Sequence, residues 1–244
     1  MPSQPSQPSQ LTPLAPHLWT IPAPLSLLGL QIHTRTTVAQ DPHTGALWVH
    51  SPGPLTEGLA AALDALGPVS HLVAPNLFHH LYFQSWCARW PSAARWAPRG
   101  LERKRPDLSG LRALDDLAPG SPVAGWPQPL LPFPLEGIPR SKEWVFYHAS
   151  SETLILTDLL FYLPRARGLT WLYAALNRCA RLPAQTLLLK SLVQDKASLR
   201  RSCAPLLELS VARLSMCHHE LYEGGEVSCA EVLRRATLWM DKSS

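Results

Sequence analysis

Three places in this chain put imidazoles or a carboxylate where they could hold a metal ion. They are His79-His80, His148 with Asp158, and His218-His219. Histidine is the commonest transition-metal ligand, and a carboxylate can bridge or complete such a site. Three or four ligands suffice for one zinc or iron ion, and an open position would hold a water whose pKa the metal lowers. Each residue also has a plainer reading. His79 and His80 could be loop histidines, Asp158 could cap the turn after its strand, and His148 could be a core histidine bonded to a backbone carbonyl. His219 reads as a neighbour of a ligand. Cys217 reads more readily as a small buried hydrophobe than as a soft ligand. His50 ends a strand and could border a pocket. The chain has no Gly-rich phosphate loop, no nucleophilic Ser elbow and no dinucleotide fingerprint.

The elements that must position these groups can be read from periodicity. Gln31-Ile-His-Thr-Arg-Thr-Thr-Val-Ala and Ala46-Leu-Trp-Val-His50 flank the turn Asp41-Pro-His-Thr-Gly45 and predict a hairpin. Thr56 is a candidate N-cap and Gly67 a C-cap for a helix with Leu59, Leu63 and Leu66 on one face. His71-Leu-Val-Ala is the next strand, and it runs into the turn that ends in His79-His80. A helix over 82–90, a strand at Ala94-Arg-Trp-Ala and a helix start at Gly100 follow. This β-α-β-α-β alternation predicts that part of the sheet is parallel. Eight prolines between Pro106 and Pro139 mark a loop-rich stretch in which residues 130–135 could lie extended. Residues 143–148 and 153–158 read as a pair of strands, the second ending in Asp158. From Leu169 to Trp239 the pattern is mostly helical, with Ala212-Arg-Leu-Ser-Met-Cys a short apolar stretch that stops at the histidines.

Composition bounds the rest. At 244 residues with 46% hydrophobic content, the chain can bury a core, and the reading is one domain over 11–244 behind a disordered Ser-Gln-Pro tail over 1–10. A net charge of +4, scattered along the chain, does not argue for nucleic acid. The cluster Arg99, Arg103, Lys104 and Arg105 reads as a solvated helix end. Five cysteines without a C-x-x-C pair fit a reducing cytoplasm. No apolar run reaches the ~18 residues needed to span a bilayer, so no membrane is expected.

With these residues in place, the chain resembles the metallo-β-lactamase-like superfamily. Pro75-Asn-Leu-Phe-His79-His80 stands where that family has H-x-H-x-D-H. Tyr147-His148 through Thr157-Asp158-Leu-Leu-Phe is similar to its middle His and Asp. Cys217-His218-His219 falls where its last His belongs, and Leu47-Trp-Val-His-Ser-Pro is similar to its early strand. The resemblance is to an uncharacterised branch and covers nearly the whole chain from Leu11. It implies an α+β, four-layer αββα sandwich. It also implies metal ligands drawn from His79, His80, His148, Asp158 and His218, and one zinc or iron ion. The first two histidines of the motif are absent, so one position of the usual two loses ligands. A hydrolase acting on an ester or thioester carbonyl of a small-molecule substrate is the first expectation. A non-catalytic relative that keeps the fold as a binding protein is the second, and oxidoreductase chemistry at iron a third.

Overall fold

In the computed structural model, which describes residues 10–218 and 220–241, two β-sheets stack face to face. The Ser-Gln-Pro tail up to residue 9 and His219 lie outside the described residues. The first sheet runs in chain order: β1 (Thr12–Ala15), β2 (Leu18–Leu27), β3 (Leu30–Gln40), β4 (Leu47–His50), β5 (Val69–Val73), β6 (Ala94–Ala97) and β7 (Leu111–Ala113). Pairing is antiparallel up to β4 and parallel from β4 onward. The parallel half is the part that the strand-helix alternation predicted. Its crossovers carry α1 (Glu57–Leu66), α2 (Phe83–Arg89) and α3 (Leu101–Lys104). Thr56 caps α1 by accepting from Leu59 N, and Gly67 ends it.

The second sheet is built from β8 (Leu130–Pro134), β9 (Trp144–His148) and β10 (Thr153–Leu156), antiparallel to one another, with β11 (Arg213–Met216) added parallel to β10. Between β10 and β11 the chain forms α4 (Gly168–Leu176), α5 (Leu187–Leu192) and α6 (Lys196–Leu207); α7 (Cys229–Thr237) follows. The β11 strand corrects the reading of this stretch as part of a mostly helical region. Four residues are too few to display a period, and the segment becomes a strand because β10 offers a buried edge.

Strand alternation explains why there are four layers. On β4, Leu47 and Val49 face one cluster, with Leu59, Leu63 and Trp86 of the first helices. Trp48 between them faces the other, where it meets Trp96, Trp126, Phe146 and Ile155 between the sheets. On β9 and β10, Val145 and Leu154 point outward to Leu199, Leu206 and Val232. Helices therefore cover both outer faces and aromatic rings fill the middle. The C-terminal ends of the parallel pairs β4–β5 and β10–β11 deliver their loops to one edge of the sandwich. That is where parallel strands leave backbone and side chains free to build a site.

His50 closes β4 inside the aromatic layer, stacked on Trp48 with ring centroids 5.8 Å apart and edge-on to Phe146 at 5.5 Å. Neither ring nitrogen has a hydrogen-bond partner among the described residues. Burial, with His79 nearby, presses its pKa down to about 3. Burial, with His17 nearby, takes His148 down to about 4. The unfolded chain binds these protons near the ordinary 6.5, so stability is full above that pH and drains as pH falls toward 3. His50→Phe keeps the stack and removes the orphan nitrogens. It is expected to raise stability at pH 7 by about 1–3 kcal/mol and to flatten the acid side of a melting-temperature profile. A profile that falls as steeply as the wild type's would reject the assignment.

Candidate metal centre

Three of the five sequence-predicted ligands meet at that edge. His79 comes from the loop after β5, Asp158 from the loop after β10, and His218 from two residues beyond β11. His79 Nε2 and His218 Nε2 are 3.2 Å apart. Asp158 Oδ1 lies 3.4 Å from the first and 3.3 Å from the second. Four donors around a zinc ion at ~2.0–2.1 Å stand about 3.3–3.4 Å from one another, so the triangle has the size of one face of such a site.

The hydrogen-bond pattern supports the same fit. His218 Nδ1 is 3.0 Å from the backbone oxygen of His33, an acceptor, so Nδ1 donates there and Nε2 is the atom turned toward the triad. That nitrogen faces a carboxylate oxygen and another imidazole nitrogen. Such a donor set can hold a cation between its members. Two imidazoles and one carboxylate suit zinc, and they equally suit non-haem iron. On the far side of His79, Nδ1 lies 2.9 Å from Ser51 Oγ. Ser51 holds a left-handed backbone (φ +50) immediately after β4. Phe161 stacks on the His218 ring at 4.5 Å, which fixes its plane.

Two further residues hold the triad in place. Asn76 is buried in the turn after β5. Its Oδ1 accepts from Phe78 N and His79 N at 2.9 and 2.8 Å, and its Nδ2 donates to Asp158 Oδ2 at 2.7 Å. One side chain thus shapes the histidine loop and aims the carboxylate. Glu143, also buried, lies under the Asp158 loop. Its Oε1 accepts from Thr157 N, Thr157 Oγ1, Asp158 N and Leu159 N at 2.8–3.2 Å. Burial, with the Asp158 charge beside it, lifts Glu143 to about 7. Burial also works to raise Asp158, but the His79 and His218 imidazoles outweigh it and hold that carboxyl below the ordinary value. Glu143 was missed by sequence reasoning, although an acid opening an otherwise apolar strand is a signal. Asn76→Ala is expected to weaken metal binding by about 10–100-fold, read by competition with a chromophoric chelator. An unchanged affinity would make Asn76 a turn residue only.

His80 and His148 stand apart from the triad. His80 turns away from its neighbour: Arg105 Nη1 donates to its backbone oxygen at 2.9 Å and lies 3.2 Å from its Nδ1. Burial, then Lys104 and Arg105, lower its pKa. His148 ends β9, where it pairs across the hairpin with Thr153 and bonds Ser151 Oγ through Nδ1 at 2.7 Å. Thr153 opens the strand that Asp158 follows. At ~3.4 Å per residue this puts His148 on the order of 15 Å from the triad, at the opposite edge of the sheet.

The triad lies in the wall of a cavity of about 570 Å³. The rest of the lining is chiefly aliphatic, including Leu25, Leu30, Ile32, Leu189 and Leu192. Ser141 borders it as well, fully buried, with no hydrogen-bond partner for Oγ among the described residues.

No family model and no curated protein matches the sequence. Solved structures match over nearly the whole chain. A metallo-β-lactamase from Pontibacter korlensis aligns at a TM-score of 0.62 and 12% identity, covering 96% of this chain and 99% of that one. A metallo-β-lactamase from Hirschia baltica gives 0.64 and 10%, covering 98% and 100%. The metal-soaked flavodiiron core of Flv1 from Synechocystis sp. PCC6803 gives 0.68 and 12%, covering 97% of this chain and 62% of that one.

Proposed function

We propose that this chain, which has the metallo-β-lactamase fold, is a mononuclear metal-dependent hydrolase of esters or thioesters with an apolar acyl part. The observation that carries the reading is the convergence of His79, Asp158 and His218 in the wall of an otherwise chiefly apolar cavity. These three would hold the ion. When bound, it supplies Lewis acidity and lowers the pKa of water. The leucine walls take up the acyl part and keep bulk water from the reacting carbonyl. In the overall reaction water adds to the acyl carbonyl, the acyl–oxygen or acyl–sulfur bond breaks, and the alcohol or thiol leaves with a proton.

The ligand set also supports a second reading. With His80 on the motif's last His, Pro75 and Leu77 stand at its first two histidines; with Asn76 on its first His, Leu81 stands at its last. Either placement costs ligands, and a binding protein on the same scaffold needs no catalytic metal. Elemental analysis of the purified chain, before and after incubation with zinc and with ferrous iron, separates the two. About one ion per chain, with hydrolysis of an acyl ester panel, is the expected result. No metal and no turnover would move the assignment to a binding protein.

A further inference from the structure

The mouth of the cavity is ringed by exposed apolar side chains. Leu27 and Leu28, at the tip of the β2–β3 hairpin, are 53% and 93% exposed. Leu28 (φ +51) and Gly29 (φ +83) form the two-residue turn. A leucine in the left-handed region is uncommon and strained, so the tip presents a bare apolar side chain where glycine or asparagine would fold more easily. Phe78, Leu81 and Leu188 are exposed too, and with Leu27 and Leu28 they also line the cavity. The hairpin is tied to α4, where Thr170 Oγ1 accepts from Gln31 N at 2.9 Å. On α4, Leu169, Trp171, Leu172 and Leu176 are between 48% and 65% exposed. Singly such residues mean little, but five that line one cavity, with the exposed side chains of the tethered α4 besides, mark an interaction surface.

Charge identifies the partner. From residue 159 to residue 194 the chain has no Asp or Glu, and it has Arg165, Arg167, Arg178, Arg181 and Lys190. The four arginines are exposed and flank α4 on both sides; Arg165 Nη1 lies 3.7 Å from Glu220 Oε1, which leaves Arg167, Arg178 and Arg181 to supply the charge. Lys190 instead lies over the Trp239 ring at 5.4 Å. Apolar tips beside exposed cations suit the boundary of an anionic lipid layer, where the tips enter the acyl region and the arginines meet headgroups. A second copy of this chain in a symmetric dimer would set the same cations against each other.

We propose that this rim docks on an anionic lipid surface and that the cavity behind it draws an acyl chain from that surface. This names a lipid acyl ester as the substrate class of the site above and rests on that reading for the hydrolysis alone. Docking stands on the rim.

The test is cosedimentation of the full chain with vesicles of phosphatidylcholine, alone or mixed with phosphatidylglycerol. Wild type is expected to bind the mixed vesicles about tenfold or more tightly than the neutral ones and to lose that difference in high salt. Leu28→Asp with Trp171→Asp is expected to lower binding at least about tenfold with a melting temperature no lower than wild type's, since both side chains are exposed and Asp tolerates the left-handed position better than Leu. Asp158→Ala is expected to bind vesicles like wild type. Failure of the metal reading would then leave docking intact, and failure of docking would leave metal binding intact. In parallel, fatty acids displacing dansyl-labelled undecanoic acid should gain about fourfold per methylene. Equal binding to both vesicle types, no effect of the double substitution, displacement independent of chain length, or a dimer that the double substitution dissolves would each overturn the proposal.

Discussion

Asp158→Ala is expected to leave the chain without metal under conditions in which wild type takes up one ion, and to remove hydrolysis with it. The reason is electrostatic as much as geometric. Asp158 is the only anion of the three converging groups, and its Oδ1 is within 3.4 Å of both imidazole Nε2 atoms. Without it two imidazoles remain, which is too few for a site. The loss should exceed the ~10–100-fold that follows removal of an outer-shell partner. Melting gives a readout independent of any substrate. Metal at a hundred times its dissociation constant stabilises by about 2.7 kcal/mol. For a chain of this size that is a rise of roughly 5–10 °C, and the variant should show none. Asp158→Asn keeps the shape and loses the charge, so it should fall near the alanine variant. A variant that still rises with metal, or still carries one ion, would place the ion elsewhere.

The same residues show what a sequence can disclose about such a site. Asp158 and His218 were legible because each follows a short apolar segment, and strand ends are where a rigid sheet hands side chains to loops. Which member of the His79-His80 pair faces inward was not legible. It is decided by the Asn76 side chain, which shapes the turn, and by Arg105, which takes up His80 from 25 residues away in the chain. His148 is ten residues from Asp158 in sequence, but the hairpin between them sends the two to opposite ends of the sheet. Sequence proximity and the resemblance set His148 with Asp158, and pairing register separates the two along the strand. The β-α-β-α-β alternation gave the parallel half of the first sheet. It could not give β11, whose four residues are a strand only because of β10 beside them. The cavity was least legible of all. Its leucines come from the hairpin tip, the loop after β5 and α5, and in sequence each looks like ordinary core.

Glu143→Ala is expected to lower stability by about 3–5 kcal/mol, close to the cost of breaking a buried charged network from one side. The Glu143 Oε1 atom accepts from three backbone amides and one hydroxyl, all on residues 157–159. Removing it strands those donors in a dry interior, where each unsatisfied group costs about 1–3 kcal/mol. At roughly 2–4 °C per kcal/mol, the melting temperature should fall by about 10 °C. Because those donors belong to the loop that aims Asp158, metal affinity should fall with it. Glu143→Gln separates acceptor from charge. Burial already lifts Glu143 to about 7, so a neutral side chain that keeps the oxygen should retain most of the stability. If alanine and glutamine are equally tolerated, the loop holds itself and Glu143 is only a buried acid. If both unfold the chain, the charge matters more than the hydrogen bonds. The expected order, with glutamine near wild type and alanine far below, would establish that Asp158 is positioned from beneath by a residue with no part in holding the metal.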